Sequence, residues 1–155
     1  MEGKDYFEIQ NLLHSYPYRL DRGDFDAVGA LFTHAVVYSG GSLLSDRSAA
    51  TMAQAFRDWV IVHPDGTPRT RHYIANLIIE PDGTDGAIAR SYVMVFQQTQ
   101  SLPLQPVIGG DYLDTLRKVD GQWRIVERQM GNDLVGNLTD HGKHLGTIKP
   151  HRANR

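Results

Sequence analysis

The stretch GGDYLDTLRKVDGQWRIVERQ, residues 109–129, decides the fold. Two runs rich in branched and aromatic residues flank Asp120-Gly121. An Asp-Gly pair at that place suits the left-handed backbone of a tight two-residue turn, so the segment reads as an antiparallel hairpin with strands over 106–119 and 122–134. Two further long strands precede it, over 69–80 and 86–99, bounded by Pro81-Asp82-Gly83 and Ser101-Leu102-Pro103.

Upstream of the turn cluster His63-Pro64-Asp65-Gly66 the chain has a different character. Tyr6, Ile9, Leu12, Leu13, Tyr16 and Leu20 recur at three- and four-residue spacing, which predicts an amphipathic helix whose last turn is bent by Pro17. Asp24 is placed to cap a second short helix carrying Phe25, Val28, Leu31 and Phe32. Val36-Val37-Tyr38 reads as a short strand ended by Gly40-Gly41, and Ser45 or Asp46 as the cap of a third helix running to about Val62. Helices first and adjacent antiparallel strands afterwards give an α+β class rather than a parallel βαβ fold.

Alternate side chains of a strand face opposite sides of the sheet. In the first long strand this puts His72, Ile74, Asn76 and Ile78 on one face and Arg71, Tyr73, Ala75, Leu77 and Ile79 on the other. Both faces are largely apolar. One is expected to carry helices and a pocket, the other a subunit interface.

Composition narrows the function. The chain has 155 residues, the size of one domain with a single core, read here as residues 1–136 followed by a partly ordered tail over 137–155. With 41% hydrophobic and 22% charged residues it is expected to fold as a globular protein. A net charge of -2 with dispersed basic residues argues against nucleic acid as a partner. Only Lys143, Lys149, Arg152 and Arg155 form a local basic stretch, which is expected to be solvated. The absence of cysteine removes disulfides, thiolate nucleophiles and thiolate metal sites, and a reducing cytoplasm is the expected location. No apolar run reaches signal-peptide or membrane-spanning length, so neither export nor a membrane is expected.

Phosphate-binding, dinucleotide-binding, nucleophile-elbow and zinc-helix motifs are all missing from the sequence. His141 and His144 stand at a spacing that suits two metal ligands on one helical face, yet no third ligand accompanies them. Solvated tail histidines are the preferred reading, and no metal or cofactor is expected.

Three segments together carry a family resemblance: YRLDRGDFDAVGALF at 18–32, TRHYIANLIIE at 70–80 and the 109–129 hairpin. They resemble the SnoaL-like branch of the nuclear-transport-factor-2-like superfamily, which includes scytalone dehydratase, ketosteroid isomerases, polyketide cyclases, a dehydrochlorinase and small subunits of ring-hydroxylating dioxygenases. The resemblance implies a cone-shaped α+β barrel, with N-terminal helices packed on a strongly curved, mostly antiparallel sheet. It also implies a homo-oligomer, a trimer in dehydratase-type and a dimer in isomerase-type relatives, with the trimer favoured.

In dehydratase and dehydrochlorinase members an aspartate at the end of the first helix pairs with a histidine in the first long strand. The matching residues are Asp21 and His72. Such a carboxylate accepts the Nδ1 proton of the imidazole, leaves the other nitrogen free as a base and stabilises the imidazolium that forms. Taken singly, Asp21 reads rather as a helix cap or tie and His72 as a core imidazole satisfied by backbone; it is the two together, in the family frame, that favour a pocket dyad. Tyr16, Asn76, Tyr112, Asp114 and Lys118 are further substrate-binding candidates. Tyr16 has core packing as its other reading, and Asn76 has backbone satisfaction. Tyr112, Asp114 and Lys118 share one strand face, and Lys118 is the position matched to the pocket arginine of dehydrochlorinase-type members. A lysine lacks the planar donor fork of arginine.

The expected function is a cofactor-independent lyase or isomerase, dehydratase-like, in which Asp21 orients His72 as general base toward a small hydrophobic oxygenated molecule. Alternatives are a non-catalytic binding or assembly module of the same fold, and a polyketide cyclase or hydrolase using the same pocket.

Overall fold

The computed structural model describes residues 1–144 and 150–153. Helix α1 spans Gly3–Leu20 and buries Ile9, Leu13, Tyr16 and Leu20 of the predicted stripe together with Pro17, while Tyr6 is exposed and Leu12 only partly buried. Helix α2, Phe25–Leu31, starts at Asp24, whose carboxylate accepts the Ala27 amide at 3.1 Å. Strand β1, Val36–Ser39, turns back on β2, Ser42–Asp46, and helix α3 follows at Ala49–Trp59. The long strands are β3 Thr70–Pro81, β4 Gly86–Gln97, β5 Gln105–Val119 and β6 Gln122–Val135.

Two expectations about the segment after β1 are corrected. Gly40 and Gly41 hold φ of 56° and 78°, so they make a hairpin turn rather than a strand end, and β2 pairs antiparallel with β1. Ser45 is therefore a buried strand residue whose hydroxyl donates to the Ser48 carbonyl at 3.0 Å. Ser48 caps α3 by accepting the Thr51 amide at 3.1 Å, and the helix stops at Trp59.

All six strands form one sheet in the order β2-β1-β6-β5-β4-β3, antiparallel except where β1 runs parallel to β6. At the β5–β6 turn Asp120 and Gly121 both take positive φ, 51° and 74°, as the Asp-Gly pair requires. The three helices cover the inner face, where Ile9, Leu13, Val28, Phe32 and Met52 pack against Val37, Leu116 and Ile125 in one core. The result is an α+β fold of three helices on a curved, mostly antiparallel open sheet.

The regular alternation expected for β3 is broken. Asn76 adopts φ of 53°, and the β3–β4 register shifts between Ala75 and Ile78. This bulge reverses the facing of everything after it: Ile79 is 4% exposed and Ile78 is 56% exposed. Thr70, His72 and Ile74 face inward before the bulge, Leu77 and Ile79 after it. The outer face carries Tyr73, Ile78, Tyr92 and Leu134, all more than half exposed.

Residues 137–144 do not trail into solvent. The Lys143 amide donates to the Trp59 carbonyl at 2.8 Å, the Ile61 amide donates to the His141 carbonyl at 3.0 Å, and Val60 bridges Gly142. The Asp140 carboxylate accepts the hydroxyls of Thr99 and Ser101. Of the basic stretch, Lys143 donates to the Arg57 carbonyl and Arg152 pairs with Asp133, while Lys149 and Arg155 lie outside the described residues. Among the described residues no helix is long and apolar enough to cross a membrane.

Candidate functional site

Asp21 follows the last turn of α1, its amide donating to the Pro17 carbonyl at 2.9 Å. The helix end delivers its carboxylate to the start of β3. One oxygen, Oδ1, accepts the Thr70 hydroxyl at 2.7 Å and Nδ1 of His72 at 2.6 Å; the other, Oδ2, accepts the His72 amide at 2.9 Å. Both side chains are about nine-tenths buried. Burial alone would raise the Asp21 carboxyl, but the hydrogen bonds and charge of His72, helped by Thr70, outweigh it and hold the group below the ordinary carboxylate value. An ionised Asp21 has no proton to give. Nδ1 of His72 is therefore the donor, and Nε2 is left as the ring's free position.

His72 lines a cavity of about 620 Å³ between the helices and the sheet. Leu20, Phe56, Trp59, Val95, Ile108 and Met130 supply its apolar wall, and Thr70, Asn132 and His141 stand among its polar groups. That volume suits a small organic molecule, and the mixture of apolar wall with a few polar groups is that of a ligand site.

Tyr16 and Tyr112 are both in the wall, their ring centroids 6.0 Å apart and nearly perpendicular. Burial pushes the Tyr112 phenol up to about 12 and raises Tyr16 as well, so both remain neutral hydroxyls at ordinary pH. Beneath them lies Arg128, which none of the sequence reading singled out. Its guanidinium carbon sits 4.7 Å from the centroids of both tyrosine rings and 5.2 Å from that of Phe32. Its Nε and Nη2 donate to the two oxygens of Asp114 at 2.6 and 2.9 Å, and both side chains are 1% exposed.

Three of the expected substrate-binding residues stand elsewhere. Asp114 is the counter-ion of Arg128 and does not line the cavity. Asn76 is exposed on the β3 bulge, turned away from the face that carries His72. Lys118 sits near the start of α1, where its ammonium meets Asp5 at 2.7 Å beside the Trp123 indole, which also donates to Asp5 at 2.9 Å. The buried guanidinium of this fold is thus Arg128 on β6, not a side chain at position 118. Regular alternation from the inward-facing Trp123 and Ile125 would have put Glu127 on that face; the irregularity between Thr115 and Leu116 brings Arg128 there instead, so strand parity alone did not point to it.

The solvated reading is corrected for His141 and not for His144. His141 is 5% exposed and forms part of the cavity wall, edge-on to Trp59 with ring centroids 5.3 Å apart. His144 is exposed and also borders the cavity. Among the described residues no cluster of three metal-ligating side chains exists.

Similar solved structures share this architecture. "Rv3472(D26N), a function unknown protein from Mycobacterium tuberculosis" is 27% identical, with 86% of this chain and 79% of that one covered and a TM-score of 0.70. A putative scytalone dehydratase from Novosphingobium aromaticivorans DSM 12444 is 21% identical over 96% of this chain and 92% of that one, with a TM-score of 0.69. ActVI-ORFA from Streptomyces coelicolor is 21% identical over 83% and 96%, with a TM-score of 0.67. No curated protein matches the chain in sequence. The model of the SnoaL-like domain matches residues 2–129, nearly the whole sheet and all three helices, and the chain therefore belongs to the SnoaL-like domain family.

Proposed function

We propose that the protein is a cofactor-independent lyase or isomerase acting on a small hydrophobic oxygenated molecule, with Asp21-oriented His72 as general base. The observation that carries this reading is the 2.6 Å contact between Asp21 Oδ1 and His72 Nδ1 in the wall of a largely apolar cavity of about 620 Å³. Asp21 fixes the tautomer and turns the other imidazole nitrogen into the acceptor. After proton transfer the carboxylate lies against the imidazolium and stabilises it. The apolar part of the wall, Leu20, Phe56, Val95, Ile108 and Met130, suits the hydrocarbon portion of such a substrate beside the base. The neutral phenol of Tyr112 is a donor for a substrate oxygen in the same space, while the Tyr16 hydroxyl is turned to Met130 Sδ at 3.9 Å. Elimination of water is the reaction suggested by the name of one structural neighbour, a putative scytalone dehydratase that shares the fold.

A mass-spectrometric screen with oxygenated polycyclic and terpenoid compounds, run in heavy water, tests the proposal. Abstraction by His72 leads to loss of water from the substrate or to deuterium at the carbon that exchanges its proton. His72→Ala should lower either rate by about 10²- to 10⁴-fold while the ligand still binds. Equal turnover in wild type and His72→Ala removes His72 from the mechanism.

A further inference from the structure

We infer that His141 is a hydrogen-bond donor to the substrate's oxygen, acting through Nε2–H in the cavity that holds the His72 base. The inference rests on the proposed function for the identity of the second partner, and on its own geometry for the rest.

The segment that follows β6 holds this imidazole firmly. The His141 amide donates to the Leu138 carbonyl at 2.9 Å, and its carbonyl accepts the Ile61 amide. The preceding carbonyl, of Asp140, accepts the Gln97 amide group and His63 Nε2, each at 3.0 Å. Trp59 closes one side of the ring. A side chain fixed in this way presents a constant edge to whatever occupies the cavity.

One nitrogen of the ring is already accounted for. Nδ1 is buried and has no hydrogen-bond partner among the described residues. An enclosed N–H without an acceptor is the costlier orphan, because a bare lone pair loses less on leaving water. The proton therefore resides on Nε2. Burial first, then the charge of His72, pushes His141 down to about 4, with Asp21 opposing; Asp58 and His144 also border the cavity. The ring is thus neutral near pH 7 and donates as an uncharged Nε2–H.

The chemistry balances with these two imidazoles. The substrate carbonyl accepts from His141 Nε2–H. His72 Nε2 takes a proton from the adjacent carbon, and the electrons of that C–H bond move into the new C=C bond while charge builds on the carbonyl oxygen. The fixed N–H stabilises that charge. The proton on His72 is then returned, either to a departing hydroxyl, which leaves as water, or to a second carbon.

Imidazole-nitrogen NMR on the full chain tests the tautomer directly. His141 should be a neutral Nε2–H ring from about pH 5 to about pH 8. An Nδ1–H tautomer or an imidazolium in that range overturns the inference. Two bicyclic probes, α-tetralone and tetralin, have one shape and differ in the carbonyl. Wild type should bind the ketone about three- to tenfold more tightly, a preference lost in His141→Leu and kept in His72→Gln. A ketone preference that survives His141→Leu, or is absent from wild type, overturns the assignment as well. His141→Gln, which keeps an N–H donor, should retain part of it. If His72→Ala leaves turnover intact while these results hold, the base assignment fails and the donor role of His141 stands.

Discussion

Removing the carboxylate of Asp114 should destabilise the fold far more than removing it together with its partner. Arg128 is 1% exposed, and two of its nitrogens are held by Asp114 alone. Burial by itself would lower the guanidinium pKa, and it is the Asp114 charge and hydrogen bonds that keep it raised. In Asp114→Ala the cation stays in the core with no counter-ion, at a cost of about 3–5 kcal/mol. For a chain of this size that is a fall of about 6–20 °C in Tm. Replacing both residues, Asp114→Leu with Arg128→Met, removes the charge and most of the desolvation cost. The double variant should recover the larger part of the loss. It should remain below wild type by about 0.5–2 kcal/mol, for the guanidinium also lies against the faces of Tyr16, Tyr112 and Phe32. Urea unfolding followed by fluorescence of Trp59 and Trp123, with thermal melts in parallel, measures each term. A single variant within about 1 kcal/mol of wild type, or a double variant as weak as the single, refutes this account of the pair.

Two other perturbations read the site and its cover. The Asp21 carboxyl stands below its ordinary value of 3.8, so its bonds to Thr70 and His72 contribute fully above that pH and are lost as pH falls through the lower folded value. Wild type should lose stability in that acid window. Asp21→Asn, weaker by about 1–3 kcal/mol at neutral pH because its amide cannot accept on both sides, should show no such step. Acid limbs of the same shape in both proteins, from urea midpoints at stepped pH, rule this out. A Cβ at position 142 would lie 2.5 Å from the Trp59 ring, so Gly142→Ala should lift residues 141–143 off the end of α3 at a cost of about 1–3 kcal/mol. Hydrogen exchange of the Ile61 and Lys143 amides should quicken while β4 and β5 stay protected; unchanged exchange contradicts the contact.

Much of the architecture is written in local patterns. The apolar stripe from Ile9 to Leu20, the Asp24 cap and the Asp120-Gly121 turn each involve residues a few positions apart, and each determines its own element. The order of helices and strands then follows, and with the family resemblance so does the pairing of Asp21 with His72. Gly40-Gly41, read as a strand end, is a hairpin turn, because the outcome depends on Ser42–Asp46 finding β1 beside it, which local pattern does not show.

Register was decided only in three dimensions. An unbroken hairpin through Asp120-Gly121 would set Glu127 opposite Asp114; the irregularity between Thr115 and Leu116 sets Arg128 there instead, and a buried ion pair replaces a clash of like charges. The bulge at Asn76 likewise turns that side chain outward and Ile79 inward. His141 reached the cavity through contacts with Ile61 and Trp59, some 80 positions earlier in the chain. Period and capping act over one turn or one pleat, and so the elements and the two ends of the dyad are legible from neighbouring residues. Bulges and long-range closure act on whole strands and segments, and so which side chains share the cavity, and which charge lies beneath it, emerges from the packed fold.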